Sequence, residues 1–182
     1  MIQQAFRNPL DFVNYMPLSQ GYINVVLDLH MYHAFGNYWN DMAAKLQDGW
    51  ATNIKAACNY ASKMSAQTLD VFVGEWSLAI TECQKHLTGY GVPYSPPSAP
   101  SSLCEYYNGD FETYSPEYKQ FLQDYMLAQM DAFEAVNGLF FWTAKTEDNS
   151  GPEWDYLFLL RKGIAPRNLC ERRRVCDGLI KK

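Results

Sequence analysis

Three apolar runs rich in β-branched and aromatic residues punctuate the chain: YINVVLDLH at 22–30, DVFVGE at 70–75 and GLFFWT at 138–143. Each is continuous rather than alternating, as expected of strands buried on both faces of a parallel sheet. Helix-patterned segments separate them. Residues 40–64 predict a helix, broken near Gly49, and residues 77–87 predict a short one ending near Gly89. The clearest helix signal begins at Ser115, an N-cap residue followed by Pro116 at the first helical position. Apolar side chains then recur at Tyr118, Leu122, Tyr125, Met126, Phe133 and Val136, and Gly138 stops the pattern. Strand, helix, strand, helix, strand in this order predicts an α/β fold with parallel strands and right-handed crossovers. Neither an internal repeat nor a domain linker interrupts it. The four prolines and small residues of GYGVPYSPPSAPSSLC mark an excursion over about 89–114, and the tail runs over about 164–182.

Chemistry gathers where these strands end. Asp28, His30 and Tyr32 close the first run, Glu75 and Trp76 the second, and Trp142, Lys145 and Glu147 the third. In parallel α/β architectures functional groups collect at the carboxyl ends of strands, so three such endings predict one site. Tyr, Phe and Trp make up 15% of the chain, and many stand in polar company, as in GNYWNDM, CEYYNGDFETY and GPEWDY. Flat apolar faces beside amides and carboxylates suit sugar rings; the alternative is that they are ordinary loop aromatics capping a core.

Charge and length exclude other classes. The 182 residues fit one domain, and a net charge of -5 argues against a nucleic-acid surface. The five arginines and one lysine of RKGIAPRNLCERRRVC lack interleaved aromatics, so they are expected to be a solvated tail. No run approaches the roughly 18 apolar residues that would span a bilayer, and MIQQAFRNPLDF has no signal-peptide pattern. Asp28, His30 and His33 are conceivable metal ligands, yet only alternate strand residues share a face and His33 lies past the strand's end. No metal and no cofactor is therefore expected. Glu75 also has a structural alternative, an ion pair with Lys145.

The segments VVLDLHMYHAF, VFVGEWSLAITEC, AQMDAFEAVNGLFFWTAKTE and GPEWDY…GIAPRN resemble, in that order and at similar spacing, the C-terminal half of the glucan 1,3-β-glucosidases of glycoside hydrolase family 5. The resemblance runs from about Phe6 to Cys176. It implies that residues 1–182 are a partial catalytic domain, the C-terminal part (about strands six to eight) of a (β/α)8 TIM barrel of retaining glycosidases. By motif, Glu75 corresponds to the catalytic nucleophile, Tyr32 to the tyrosine that hydrogen-bonds it and His30 to the neighbouring histidine. Trp142 corresponds to the platform under the sugar, with Phe35 and Trp154 at aromatic positions around the entrance and outer pocket. The implied partner is a β-glucan or oligosaccharide, alongside the missing N-terminal half of the barrel; the alternative function is a non-catalytic carbohydrate-binding remnant or a transglycosylase fragment. The family's acid/base lies in an Asn-Glu-Pro tripeptide, which these 182 residues do not contain.

Five cysteines allow two bridges and one odd thiol. The resemblance implies Cys83 with Cys104 and Cys58 with Cys176, leaving Cys170 spare. Bridges imply an oxidising compartment and an extracellular or wall-associated parent; the alternative is five reduced thiols in a cytosolic protein.

Overall fold

The computed structural model describes residues 1–35, 49–87, 89–91, 104, 107 and 110–177. Its centre is a parallel sheet of four strands, β1 (Ile2–Gln3), β2 (Val26–Met31), β3 (Asp70–Trp76) and β4 (Gly138–Phe141), in the order β1-β2-β3-β4. The predicted α/β class and parallel pairing are present. β1 adds a strand to the three read from the sequence. It is two residues long, too short for a pattern, and Gln4 extends its grip by donating its backbone N–H to Asp28 O at 3.0 Å. β2 begins at Val26 rather than Tyr22, because Tyr22 and Ile23 lie exposed before the sheet.

Helices α1 (Trp50–Ser65) and α2 (Pro116–Ala132) pack against each other and cover one face of the sheet, and a short α3 (Tyr156–Arg161) follows β4. The Ser115 hydroxyl accepts from the Tyr118 N–H at 3.1 Å, so the predicted cap and the Pro116 start hold. α2 ends at Ala132 and gives way to a 3-10 turn, Phe133–Ala135; Gly138 opens β4 instead of stopping the helix. Residues 40–48 of the first predicted helix, and most of the predicted excursion, lie outside the described residues.

The face toward the helices is the core. Leu27, Leu29, Met31, Val71, Val73 and Trp76 are all buried there, and Trp76 meets Phe133 and Phe141 edge-on at ring distances of 5.7 and 5.0 Å. Trp50 of α1 stacks on Phe121 of α2 at 5.3 Å. Across the sheet Asp28 pairs with Phe72 and Phe72 with Gly138, on the opposite face. A Cβ on Gly138 would come within 2.7 Å of the Phe72 ring, which accounts for glycine there. Asn137 locks the register of β4: its N–H donates to Val71 O at 2.8 Å and its Oδ1 accepts from Val71 N at 2.9 Å.

Two expectations need correction. The third apolar run is a strand but not a buried one: Leu139 is 38% exposed, Phe140 60% and Trp142 52%. β4 is the last strand of the sheet, with no neighbour beyond it among the described residues to cover these side chains. Residues 77–87 form bends and turns rather than a helix. Ser77 Oγ accepts from Ala79 N and Thr81 Oγ1 from Cys83 N, so hydroxyls take local backbone donors that a helix would use. The basic tail is exposed, as expected, with Arg173 and Arg174 open to solvent, and its arginines are also ion-paired. Arg172 reaches Asp131 and Glu134 at 3.0 and 2.6 Å, Arg174 pairs with the same two acids, and Arg173 pairs with Asp124. Asp131, buried on α2, also accepts from the Val175 and Cys176 N–H groups. Both bridges expected from the resemblance are formed, Cys58–Cys176 and Cys83–Cys104, with Cys170 free and exposed.

Candidate active site

A single irregularity in the sheet creates the site. Leu29 pairs with Val73, but His30 pairs with Glu75 and Met31 with Trp76, so Gly74 is an extra residue on β3. The same extra residue appears from the other side, where Val73 pairs with Leu139 and Trp76 with Phe141. Side chains alternate along a strand, so without this bulge Glu75 would sit opposite Met31 and face the helices. With it, Glu75 turns to the face of His30 and Trp76 turns into the core.

The Tyr32 hydroxyl, just past the end of β2, donates to Glu75 Oε2 at 2.7 Å. His30 Nδ1 approaches the same oxygen at 3.4 Å, and His30 Nε2 lies 3.3 Å from Asp28 Oδ2. Burial, and then the Glu75 carboxylate, push the Tyr32 phenol far above its ordinary range, so it remains a donor. The side chains of Asp28, His30 and Glu75 keep 13%, 17% and 26% of their exposure: enclosed, yet open on one side.

Aromatic groups line this corner. The Tyr32 ring lies 5.5 Å from both Phe35 and Trp154, and Phe35 and Trp154 are 6.3 Å apart. Trp154 is buried, held by its own strap: Thr143 N donates to Trp154 O at 2.6 Å, and Leu78 N to Glu153 O at 3.0 Å. Trp142 follows β4 directly, its N–H donating to Trp76 O at 2.8 Å, and half its surface faces solvent. A cleft of about 510 Å³ opens beside the site, lined among others by Gln4, Phe6, His30, Tyr32 and Phe35.

Tyr32, His30, Glu75, Phe35 and Trp154 are thus neighbours, and Trp142 occupies the adjoining strand end. Metal ligation by Asp28, His30 and His33 has no common focus, because His33 is buried against Tyr125. Among the described residues Glu75 has Tyr32 and His30 as its side-chain partners, and no ion pair joins it to Lys145.

Three residues escaped the sequence reading. Gln4 is buried, accepts from His30 N at 2.9 Å and donates to Arg7 O at 2.8 Å, fixing β1 to the site. Phe6 is 66% exposed and meets the His30 ring edge-on at 6.0 Å. Glu153 accepts from the Tyr114 and Tyr118 hydroxyls at 2.6 and 3.2 Å, and burial pushes its carboxyl up. Only Glu153 left a trace in the sequence, as the acid inside GPEWDY.

No protein-family model matches the chain. Among curated proteins, the chain is similar over most of its length to glycosidases. They are glucan 1,3-β-glucosidases: that of Candida oleophila is 39% identical over 167 residues, covering 88% of this chain and 37% of the relative. That of Blumeria graminis is 34% identical over 180 residues, 94% and 40% of the two chains. That of Yarrowia lipolytica is 36% identical over 174 residues, 91% and 39%. The resemblance carried by the motifs is borne out, and the chain spans about 40% of the length of these relatives.

Proposed function

We propose that the chain is the nucleophile-bearing part of a retaining β-glucan glycosidase of family 5, acting on β-1,3-glucan from the chain end, with Glu75 as the nucleophile. The observation that carries this is the 2.7 Å hydrogen bond from Tyr32 to Glu75 across two strand ends. A donor of this kind favours the ionised carboxylate and aims the oxygen that attacks the anomeric carbon. His30 flanks the same oxygen. The half-exposed Trp142 offers its face to the sugar, where an aromatic face also favours the positive charge that builds on the ring in the transition state. Phe35 and Trp154 form the wall behind Tyr32 and border the outer sugar positions.

The sheet supports a barrel origin. In a doubly wound sheet the strand order reverses at a switch point, whereas in a (β/α)8 barrel each strand pairs with the next. Here four parallel strands follow in sequence order. Read this way β2, β3 and β4 are strands six to eight, and β1 is the fifth. Retaining hydrolysis needs a second carboxyl about 5 to 5.5 Å from the nucleophile as acid/base. We assign it to the part of the relatives' length outside this chain, together with the strands that would cover β4. Two disulfides favour a secreted or wall-associated parent.

The test is covalent labelling of the complete protein with a 2-deoxy-2-fluoroglucoside, followed by peptide mapping. Label is expected on the peptide containing VFVGEWS, with Tyr32→Phe slowing labelling about tenfold without abolishing it, the worth of one charge-assisted hydrogen bond. Label on Glu82 or Glu147 would overturn the assignment. The 182-residue chain alone is expected to leave laminarin intact, since general acid catalysis supplies about 10²- to 10⁴-fold.

A further inference from the structure

Asp28 is a buried carboxylate in the middle of β2, on the sheet face that carries Glu75. Its carboxylate has one side-chain donor among the described residues, Nε2 of His30 at 3.3 Å. Glu75 Oε2, by contrast, already receives the Tyr32 hydroxyl. A buried carboxylate without a donor is costly, so the ring proton belongs on the nitrogen facing Asp28. Asp28 also presses on the bulge. A Cβ at Gly74 would overlap Asp28 Oδ1 and stand 3.0 Å from Asp28 Cγ. The Gly74 φ does not lie in the left-handed region, so glycine is required there by the approach of Asp28 rather than by backbone conformation.

We infer that Asp28 is a positioning residue of this site: it holds His30 with its proton on Nε2, and its seat against Gly74 ties that ring to the bulge that aims Glu75. The inference rests on the reading of Glu75 as the nucleophile for its meaning, but its geometry stands without it. The two contacts make one unit, because the carboxylate that accepts the hydrogen bond from His30 Nε2–H is the one that excludes a side chain at 74. Substitution at either place should therefore be felt at the other.

The experiment is ring ¹⁵N NMR of the three histidines in the 182-residue chain, with His30 assigned by His30→Gln and read where the ring is neutral. The parent is expected to carry the His30 proton on Nε2. Asp28→Leu, similar in shape but without an acceptor, should shift the tautomer ratio toward Nδ1–H by about tenfold, the worth of a charge-assisted hydrogen bond. Asp28→Asn, the variant to read if the leucine form does not fold, should shift it by about threefold, as a neutral acceptor is weaker. Gly74→Ala should lower the melting temperature at least twice as much in the parent as in Asp28→Ala, where the overlap is gone. An unchanged His30 ratio in Asp28→Leu, or in Asp28→Asn if that is the form read, overturns the inference, and so do equal Gly74→Ala effects in the two backgrounds. Neither readout involves turnover: failure of the labelling experiment with these signals intact would refute Glu75 as nucleophile and leave Asp28 where it is.

Discussion

The centre of the sheet and its β4 edge are built from the same kinds of residue and end in opposite environments. Leu29 on β2 has no exposed surface, whereas Leu139 on β4 is 38% exposed, although both lie in continuous apolar runs. Leu29 has strands on both sides and helices above it; β4 has β3 on one side and nothing described on the other. An apolar groove of about 450 Å³ runs along the edge, lined among others by Trp76, Met126, Met130, Leu139 and Phe141. Apolar composition states what a strand needs from its neighbours. It does not state that the chain supplies them.

The largest effect expected from this contrast is on stability. Leu29→Ala should cost about 3 kcal/mol, the usual range for a fully enclosed leucine whose cavity cannot collapse. Leu139→Ala should cost less, about 1 kcal/mol, because more than a third of its surface already faces solvent and less area is lost from burial. Chemical denaturation of the two variants measures both. Equal costs would mean that β4 is covered in solution, and the contrast would fall.

The same contrast divides what was legible in the sequence from what was not. Strand existence followed from Val, Leu and Phe runs, and the α2 start from Ser115-Pro116, because each is a local rule satisfied by local residues. The Tyr32 to Glu75 pairing was legible through resemblance, since motifs keep strand-end residues at fixed places. The bulge was not: an extra Gly74 makes sense only once Asp28 is seen to fill the space a side chain would take. Likewise the ion pairs of the tail arginines were not legible, because Asp131, Glu134 and Asp124 lie some 40 to 50 residues upstream, on α2 and the turn that follows it, where no sequence window pairs them with the tail. Residues 77–87 carry helix-compatible apolar spacing, yet serine and threonine caps and the Cys83 bridge decide otherwise. Long-range partners, in each case, add what a local signal does not carry.

A second, smaller effect concerns association. Phe140, 60% exposed beside the half-exposed Trp142, belongs to an edge with no neighbouring strand among the described residues, and such an edge can pair with another copy. Phe140→Glu should weaken self-association about tenfold, roughly 1.4 kcal/mol, by placing like charges in each other's path. Phe72→Glu is no substitute, since the ring packs on Phe140 and shields Gly138. Sedimentation velocity over a concentration series reads the change. If the parent is monomeric at every concentration, the edge is protected and the comparison with the centre needs revision.

The smallest effects come from two carboxylates that repeat the contrast between enclosed and open surroundings. Glu134, on the rim with its side chain 48% exposed, is lowered to about 2 by the Arg174 and Arg172 guanidinium groups. A lowered pKa contributes stability above the ordinary 4.5 that is lost as pH falls through about 2. Solvent screening at so open a site keeps the contribution below about 1 kcal/mol. Glu153 has the opposite sign. Burial raises it, only partly offset by the Tyr114 and Tyr118 hydroxyls, so its contribution is fully present below 4.5 and is lost as pH rises through the raised value. Glu153→Gln keeps an acceptor for both phenols and removes the ionisation, so it should flatten the loss on the rising limb while leaving the acid limb alone. Glu134→Gln should do the reverse. Melting temperatures from pH 2 to 8 for the two variants separate the limbs; a Glu153→Gln profile parallel to the parent's above pH 4.5 would show that this carboxyl is not enclosed as its two phenols require.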